Sequence, residues 1–213
     1  FLNYIWPEAS DEDKKMLWEL YINGKPHRKN ADALTQALGF EVVYGGGGAK
    51  TLFYAFLYGA GDPKLGRILN KGPDVGKKVR ATLMTCVPGL RAAVEAVQAE
   101  WESSGGLIRT IDGGYVRCPG KHAALNYQIQ SSGGIVMKEA AIIFDKEITR
   151  RGLDVWKVGD IHDESQQDCG SEAEAKEAGA EGCKAITAAG ESLGFNVPLA
   201  GEFKVGANWH ETH

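Results

Sequence analysis

Residues 49–61 read AKTLFYAFLYGAG, and this stretch is the one that decides the fold. Lys50, Tyr54 and Tyr58 are four residues apart, so a helix places them one turn apart on a single face. That face suits a nucleotide, because the ammonium and the amides of a helix N-terminus attract phosphate while aromatic rings stack on a sugar or base. The same spacing also fits an amphipathic helix whose aromatic side chains belong to the core.

Two further blocks follow in the chain: residues 120–130 read GKHAALNYQIQ, and residues 161–164 read IHDE. Together with the Lys-x3-aromatic-x3-Tyr-Gly pattern of residues 50–59, they resemble, in the same order, three segments of family A DNA polymerases. These segments are the motif B helix of the fingers, the segment lining the primer-template minor groove, and the motif C hairpin of the palm. The ending GANWHETH of residues 206–213 is similar to that of phage members. The resemblance to the phage branch covers residues 22–213, most of the chain.

The resemblance implies an α+β fold in which fingers helices accompany a small antiparallel palm sheet, as part of a right-hand architecture. We expect residues 1–44 to be an N-terminal helical segment that joins palm to fingers. Residues 45–104 would be the fingers with the motif B helix, and residues 105–213 the C-terminal palm with the motif C hairpin.

Apolar spacing and turn residues predict the individual elements. Four consecutive glycines, Gly45 to Gly48, predict a flexible joint before the Lys50 helix, since glycine has a large backbone entropy to lose. The remaining predictions are helices over 8–22 and 31–39, a β-prone run over 40–44, a helix or helix pair over 74–104 broken at Pro88-Gly89, hairpins over 105–119 and 155–169, a helical stretch over 122–151 interrupted at Gly133-Gly134, and a helix over 171–193.

The resemblance also implies roles for single residues in nucleotide and DNA binding. Lys50 would contact the triphosphate, Tyr54 would pack on the incoming sugar, and Tyr58 would stack near the template base. Amide side chains suit a minor groove, because every base pair offers acceptors there and pairing geometry can be sensed without reading sequence. The residues that would contact DNA are His122, Asn126, Gln130 and His162.

Catalysis in this family needs two Mg²⁺ ions held by oxygen ligands. Asp163 is the candidate metal ligand, with Glu164 beside it as a weaker ligand. The other essential aspartate of the family comes from motif A, an Asp-x-Ser-x-x-Glu-type strand. Residues 7–13 read PEASDED, which is acidic and helical in pattern, so motif A is not recognisable. Gly46 also stands where the family normally has an arginine.

We therefore expect a DNA-directed DNA polymerase that transfers nucleotides from a dNTP to a primer 3′-hydroxyl under a template's direction, present as a C-terminal fragment. Its partners would be primer-template DNA, dNTP, and the remaining polymerase domains or a processivity factor. Whether this chain is active by itself stays open, and a catalytically inactive DNA-binding polymerase fragment is one alternative.

The other alternative is a P-loop nucleotidase. The pattern of a P-loop is a strand, a glycine-rich loop that binds phosphate, and a Lys-Thr or Lys-Ser pair at the start of a helix. This chain has a β-prone run, four glycines and Lys50-Thr51 in that order. Residues 141–145, AIIFD, would then be the Walker B strand. Tyr44 and Ala49 count against this reading, because they hold the positions where the motif requires glycine.

Composition sets broad limits on the class of protein. The 213 residues carry a formal net charge of −4, which disfavours a dedicated DNA-coating protein but permits a polymerase whose basic surface is confined to one groove. No apolar run approaches the roughly 20 residues that span a bilayer, and no signal peptide is recognisable. The four cysteines lack metal-binding spacing, so we expect reduced thiols and a cytoplasmic location, in an infected bacterial host if the chain is phage-encoded.

Overall fold

The computed structural model describes residues 10–12, 15, 26–195 and 197–212, except for the side chain of Pro26. These residues divide into two compact units. The first comprises the chain up to Thr110 together with Gly114–Ile129, and the second comprises Ile111–Gly113 and the chain from Gln130 onward. The helix expected over 8–22 lies outside the described residues, apart from residues 10–12 and 15.

Helices dominate the first unit, and proline and glycine mark their boundaries. Pro26, Pro63 and Pro73 occupy first or second helical positions, where a missing N–H costs nothing. Gly39 ends the first helix with a φ of 75°, a left-handed conformation that glycine adopts freely. The unit's elements among the described residues are α1 (Pro26–Leu38), α2 (Ala49–Leu57), α3 (Asp62–Ile68), α4 (Pro73–Cys86), α5 (Leu90–Ser103), β1 (Leu107–Arg109), β2 (Tyr115–Arg117) and a short 3-10 helix (Lys121–Ala123).

One hydrophobic core holds the first unit together. Its fully buried side chains include Leu34, Leu52, Leu65, Leu83 and Ile108. Burying a leucine side chain contributes on the order of 2 kcal/mol, so this cluster is the main source of stability of the unit.

Helices α3 and α4 cross so closely that only glycine fits at the crossing. A Cβ atom on Gly76 would lie 1.9 Å from the carbonyl oxygen of Asp62. Beside the crossing, the Arg80 guanidinium donates hydrogen bonds to the Asp62 carboxylate at 2.6 Å and to the Ala60 carbonyl at 2.7 Å. These contacts hold Ala60 and Asp62, which follow α2, against α4.

The second unit has a smaller core and an antiparallel hairpin. Helix α6 (Ala124–Arg151) enters it from Gln130 onward, and β3 (Val155–Ile161), β4 (Glu164–Cys169), α7 (Glu172–Ser192) and α8 (Trp209–Thr212) follow. Ala140, Ala185 and Ala189 are buried where α6 and α7 pack, and the Arg151 guanidinium bridges Glu177 and Glu181 of α7. The β3–β4 pairing runs from Val155 opposite Cys169 to Ile161 opposite Glu164, with a bulge between Lys157 and Gly159.

Several predicted elements are confirmed. Helices α4 and α5 are separated at Val87–Gly89, and the two antiparallel hairpins form as β1–β2 and β3–β4. The α+β class is therefore correct. The compact units divide between Ile129 and Gln130, inside α6.

Two element predictions are wrong. Residues 40–44 form no strand, because the Val42 N–H donates to the Thr35 hydroxyl at 2.9 Å and the carbonyls that follow accept from α2. Helix α6 is not interrupted at Gly133-Gly134. Both glycines lie in helix with open space around them, and a helix tolerates such a residue at a cost of about 1 kcal/mol relative to alanine.

Candidate functional site

Helix α2 carries Lys50, Tyr54 and Tyr58 on one face, which we call the aromatic stripe. All three residues are exposed, and the two tyrosine rings stack with centroids 6.4 Å apart and an interplanar angle of 27°. The opposite face is buried through Leu52, Phe53 and Phe56. Because the buried face fixes the rotation of the helix, the cation and both rings are held toward solvent, where a nucleotide can reach them.

The glycine run before α2 is a hydrogen-bonded turn, so the expectation of a flexible joint is wrong. Gly47 has a φ of 75°, and a Cβ atom on Gly48 would lie 1.8 Å from the carbonyl oxygen of Val43. The N–H of Gly48 donates to the Gly45 carbonyl at 3.0 Å, and the N–H of Ala49 donates to the Val43 carbonyl at 2.8 Å. Glycine is required here because the chain folds back onto its own backbone.

The same hydrogen bonds rule out the P-loop alternative. A phosphate cradle needs backbone N–H groups that point at the ligand. Here the Gly47 N–H donates to the Thr51 hydroxyl at 3.2 Å, and the Lys50 N–H donates to the Tyr44 carbonyl at 3.3 Å. Asp145, the candidate Walker B residue, lies in helix α6 rather than in a strand. The N–H groups of Ala49 and Lys50 in the first turn of α2 are thus already bonded within the chain.

His27 joins this site, although the sequence did not single it out. Its imidazole lies 5.6 Å from the rings of both Phe53 and Tyr54, centroid to centroid, and 6.3 Å from that of Tyr44. Its Nδ1 atom is buried without a hydrogen-bond partner among the described residues. Burial, and then the nearby Lys50 ammonium, lower the pKa of His27 below its usual value.

The C-terminal end of α2 contacts the segment that carries His122. Gly59 has a φ of 77°, and a Cβ atom there would lie 3.1 Å from the His122 carbonyl oxygen. His122 is exposed on the 3-10 turn before α6. Tight packing at Gly59 therefore places the predicted DNA-binding histidine next to the aromatic stripe.

Asn126 and Gln130 lie one turn apart on α6, as their spacing predicts. Gln130 is exposed, whereas Asn126 is half-buried. The Asn126 Oδ1 atom is buried and has no hydrogen-bond partner within the described part of the chain. A buried amide oxygen without a partner is costly, so this side chain favours a ligand that donates a hydrogen bond.

The predicted motif C residues occupy the β3–β4 turn. His162 has a φ of 55°, a left-handed conformation that histidine adopts more readily than most residues, and it forms the two-residue turn with Asp163. Both side chains are exposed, and Glu164 is half-buried at the first position of β4. This is the hairpin tip that the sequence predicted.

A metal ion needs more ligands than this tip provides. No group of three or more His, Cys, Asp or Glu side chains capable of holding a metal occurs among the described residues. The neighbouring Asp160 is already engaged, since Lys157 forms an ion pair with it and the Ser165 hydroxyl donates to it at 2.7 Å. These contacts lower the pKa of Asp160, with the Lys157 hydrogen bond as the larger cause. The described residues therefore do not fit a two-ion magnesium site.

The candidate residues fall into the two compact units. Lys50, Tyr54, Tyr58 and His122 belong to the first unit, which brings them together with His27. His162, Asp163 and Glu164 belong to the second. No described helix is both long enough and apolar enough to cross a membrane.

A family model described as DNA polymerase family A matches residues 46–211. Similar curated proteins include the DNA-directed DNA polymerase of Enterobacteria phage T3, 34% identical over 184 residues, and that of Escherichia phage T7, 31% identical over 184 residues. Each match covers 78% of this chain and 26% of the relative, so the chain spans about a quarter of the length of these relatives.

A similar solved structure is the POL domain of Pol1 from M. smegmatis in complex with DNA primer-template and dNTP. It superposes with a TM-score of 0.64 at 22% sequence identity, over 75% of this chain and 31% of that one. This similarity supports the same fold.

Proposed function

Because the chain belongs to DNA polymerase family A, we propose that it forms the fingers and part of the palm of a template-directed DNA polymerase. The reaction would be nucleotidyl transfer from a dNTP to a primer 3′-hydroxyl. The observation that carries the proposal is the exposed face of α2, where Lys50, Tyr54 and Tyr58 are held toward solvent by a buried opposite face. In this proposal residues 1–44 join palm to fingers, residues 45–104 are the fingers and residues 105–213 the palm.

Each of the three α2 side chains would have a separate role in nucleotide binding. The Lys50 ammonium pairs with the triphosphate, because a charge-assisted contact to phosphate is stronger than a neutral hydrogen bond. The Tyr54 ring packs on the incoming sugar, and the Tyr58 ring stacks near the template base. The stacking of the Tyr54 and Tyr58 rings supports these roles, since it presents aromatic surface along one face of α2.

Primer-template DNA would be bound by His122, Asn126, Gln130 and His162. The amide of Asn126 is suited to the minor groove, where it would hydrogen-bond without reading sequence. A processivity factor or the remaining polymerase domains would complete the enzyme, which would act in the cytoplasm of an infected bacterium.

Two Mg²⁺ ions belong to the complete reaction, and Asp163 would be a ligand with Glu164 beside it. The described residues do not supply the rest of that site. The same observation favours a second candidate function, an inactive polymerase fragment that binds DNA.

Titration of a labelled deoxynucleoside triphosphate tests the proposal. Replacing Lys50 with alanine removes the phosphate contact, and we expect affinity to fall about tenfold. The matched control is Lys77→Ala, which removes an exposed lysine from α4 of the same unit and should leave affinity unchanged. Equal losses in the two variants would show that Lys50 acts through net charge alone.

A further inference from the structure

Arg28 lies at the start of α1 and is held by an aromatic ring. Its guanidinium carbon is 5.7 Å from the centroid of the Tyr44 ring. Both residues are exposed, and a guanidinium over an aromatic face is attracted by the ring's negative charge distribution. Tyr44 therefore restricts Arg28, which would otherwise be a mobile surface side chain.

Tyr44 also connects Arg28 to the α2 site. Its carbonyl accepts the N–H of Lys50 at 3.3 Å, and its ring lies 6.3 Å from the imidazole of His27. The same imidazole packs against Tyr54 and is close enough to Lys50 to respond to its charge. The first turns of α1 and α2 therefore meet around Tyr44. The α1 turn carries Arg28 and Lys29, and the α2 turn carries Lys50.

Neither Arg28 nor Lys50 forms an ion pair with a carboxylate within the described part of the chain, whereas Arg80 pairs with Asp62 and Arg151 with two glutamates. Cations on two adjoining helix turns favour a polyanion, because it relieves their repulsion. A chain of phosphates fits two separated cations better than a single carboxylate does.

We propose that Arg28 binds the polyphosphate of the nucleotide together with Lys50, and that Tyr44 positions its guanidinium. This inference rests on the nucleotide site proposed for α2. A guanidinium suits the task because its planar donors can bind two phosphate oxygens at once.

The test measures affinity of the full chain for a deoxynucleoside triphosphate and for inorganic triphosphate. Arg28→Ala should weaken both about five- to tenfold. Arg28→Lys keeps the charge but not the planar fork, so it should retain part of the affinity. Arg91→Ala, at an exposed arginine on α5 of the same unit, is the matched control and should bind normally.

The positioning role of Tyr44 is tested by coupling. Tyr44→Leu should weaken triphosphate binding, whereas Tyr44→Phe, which keeps the aromatic ring, should bind normally. Adding Tyr44→Leu to Arg28→Ala should cause little further loss of affinity. Thermal unfolding of each variant tests whether the fold is retained.

Normal binding by Arg28→Ala, with a loss in Lys50→Ala, overturns the inference and leaves the proposed function standing. No loss in either variant overturns both. A loss in Arg28→Ala with none in Lys50→Ala would also overturn joint binding by the two cations.

Discussion

At the scale of single residues, the surroundings of His27 determine its charge. Aromatic rings remove water from the imidazole and the Lys50 ammonium repels a proton, so both causes lower its pKa in the folded chain. In the unfolded chain these surroundings are absent, and the imidazole titrates near its ordinary value of about 6.5. The unfolded state therefore binds a proton at a higher pH than the folded state does.

This difference predicts a loss of stability in weak acid. The stabilising contribution of neutral His27 is fully present above about pH 6.5 and falls as the pH is lowered toward the folded-state pKa. We expect a His27→Gln variant to lose less thermal stability between pH 7.5 and pH 5.5 than the unmodified chain. His122→Gln, which replaces an exposed histidine of the same unit, is the control. An unchanged acid dependence in His27→Gln would contradict the prediction.

At the scale of elements, the turn before α2 depends on where each glycine lies. Gly48 packs against the Val43 carbonyl, whereas Gly46 has open space around it and no left-handed φ. Glycines adjacent in sequence are therefore not equivalent in the fold.

We expect Gly48→Ala to destabilise the chain by about 2–4 kcal/mol, because the added methyl group would overlap the backbone at residue 43. Gly46→Ala should be neutral or slightly stabilising, by up to about 1 kcal/mol, since it removes freedom only from the unfolded chain. Denaturant unfolding of both variants measures the difference. Comparable stabilities would mean that the whole run is a flexible joint after all.

At the scale of the whole molecule, the described residues include the exposed Lys50, Tyr54 and Tyr58 of α2 but no group of three or more side chains that could hold a metal ion. A two-ion reaction requires several oxygen ligands, because the ions repel each other and need compensating charge. Nucleotide and DNA binding are thus expected to be separable from synthesis in this chain.

We predict that the 213-residue chain binds primer-template weakly and extends primers poorly or not at all. Adding a palm strand with the Asp-x-Ser-x-x-Glu pattern should rescue extension, and Asp163→Ala should abolish the rescue. A primer-extension assay distinguishes these outcomes. Robust synthesis by the unmodified chain that is lost on Asp163→Ala would instead reveal a carboxylate partner, with Glu8, Asp11 and Asp13 as the first candidates.

Much of the element pattern followed from local signals. Pro88-Gly89 separates α4 from α5, Asp112-Gly113-Gly114 turns the first hairpin, and His162-Asp163 turns the second. Such signals act over a few residues, so they are visible in the sequence. The same local reasoning failed at Gly133-Gly134, where the residues on either side continue the helix through both glycines.

The sequence by itself determined the family and the one-turn spacing of Lys50, Tyr54 and Tyr58, because helical periodicity is a property of the chain. Tertiary structure decided which backbone N–H groups before α2 are already bonded within the chain. Because these groups cannot also bind a phosphate, the P-loop alternative fails. Tertiary structure also places Arg28 and His27 beside Tyr44, although they precede it in the sequence by 16 and 17 residues. The physical reason is that burial of the opposite faces of α1 and α2 sets how these helices pack, and no local pattern encodes that packing.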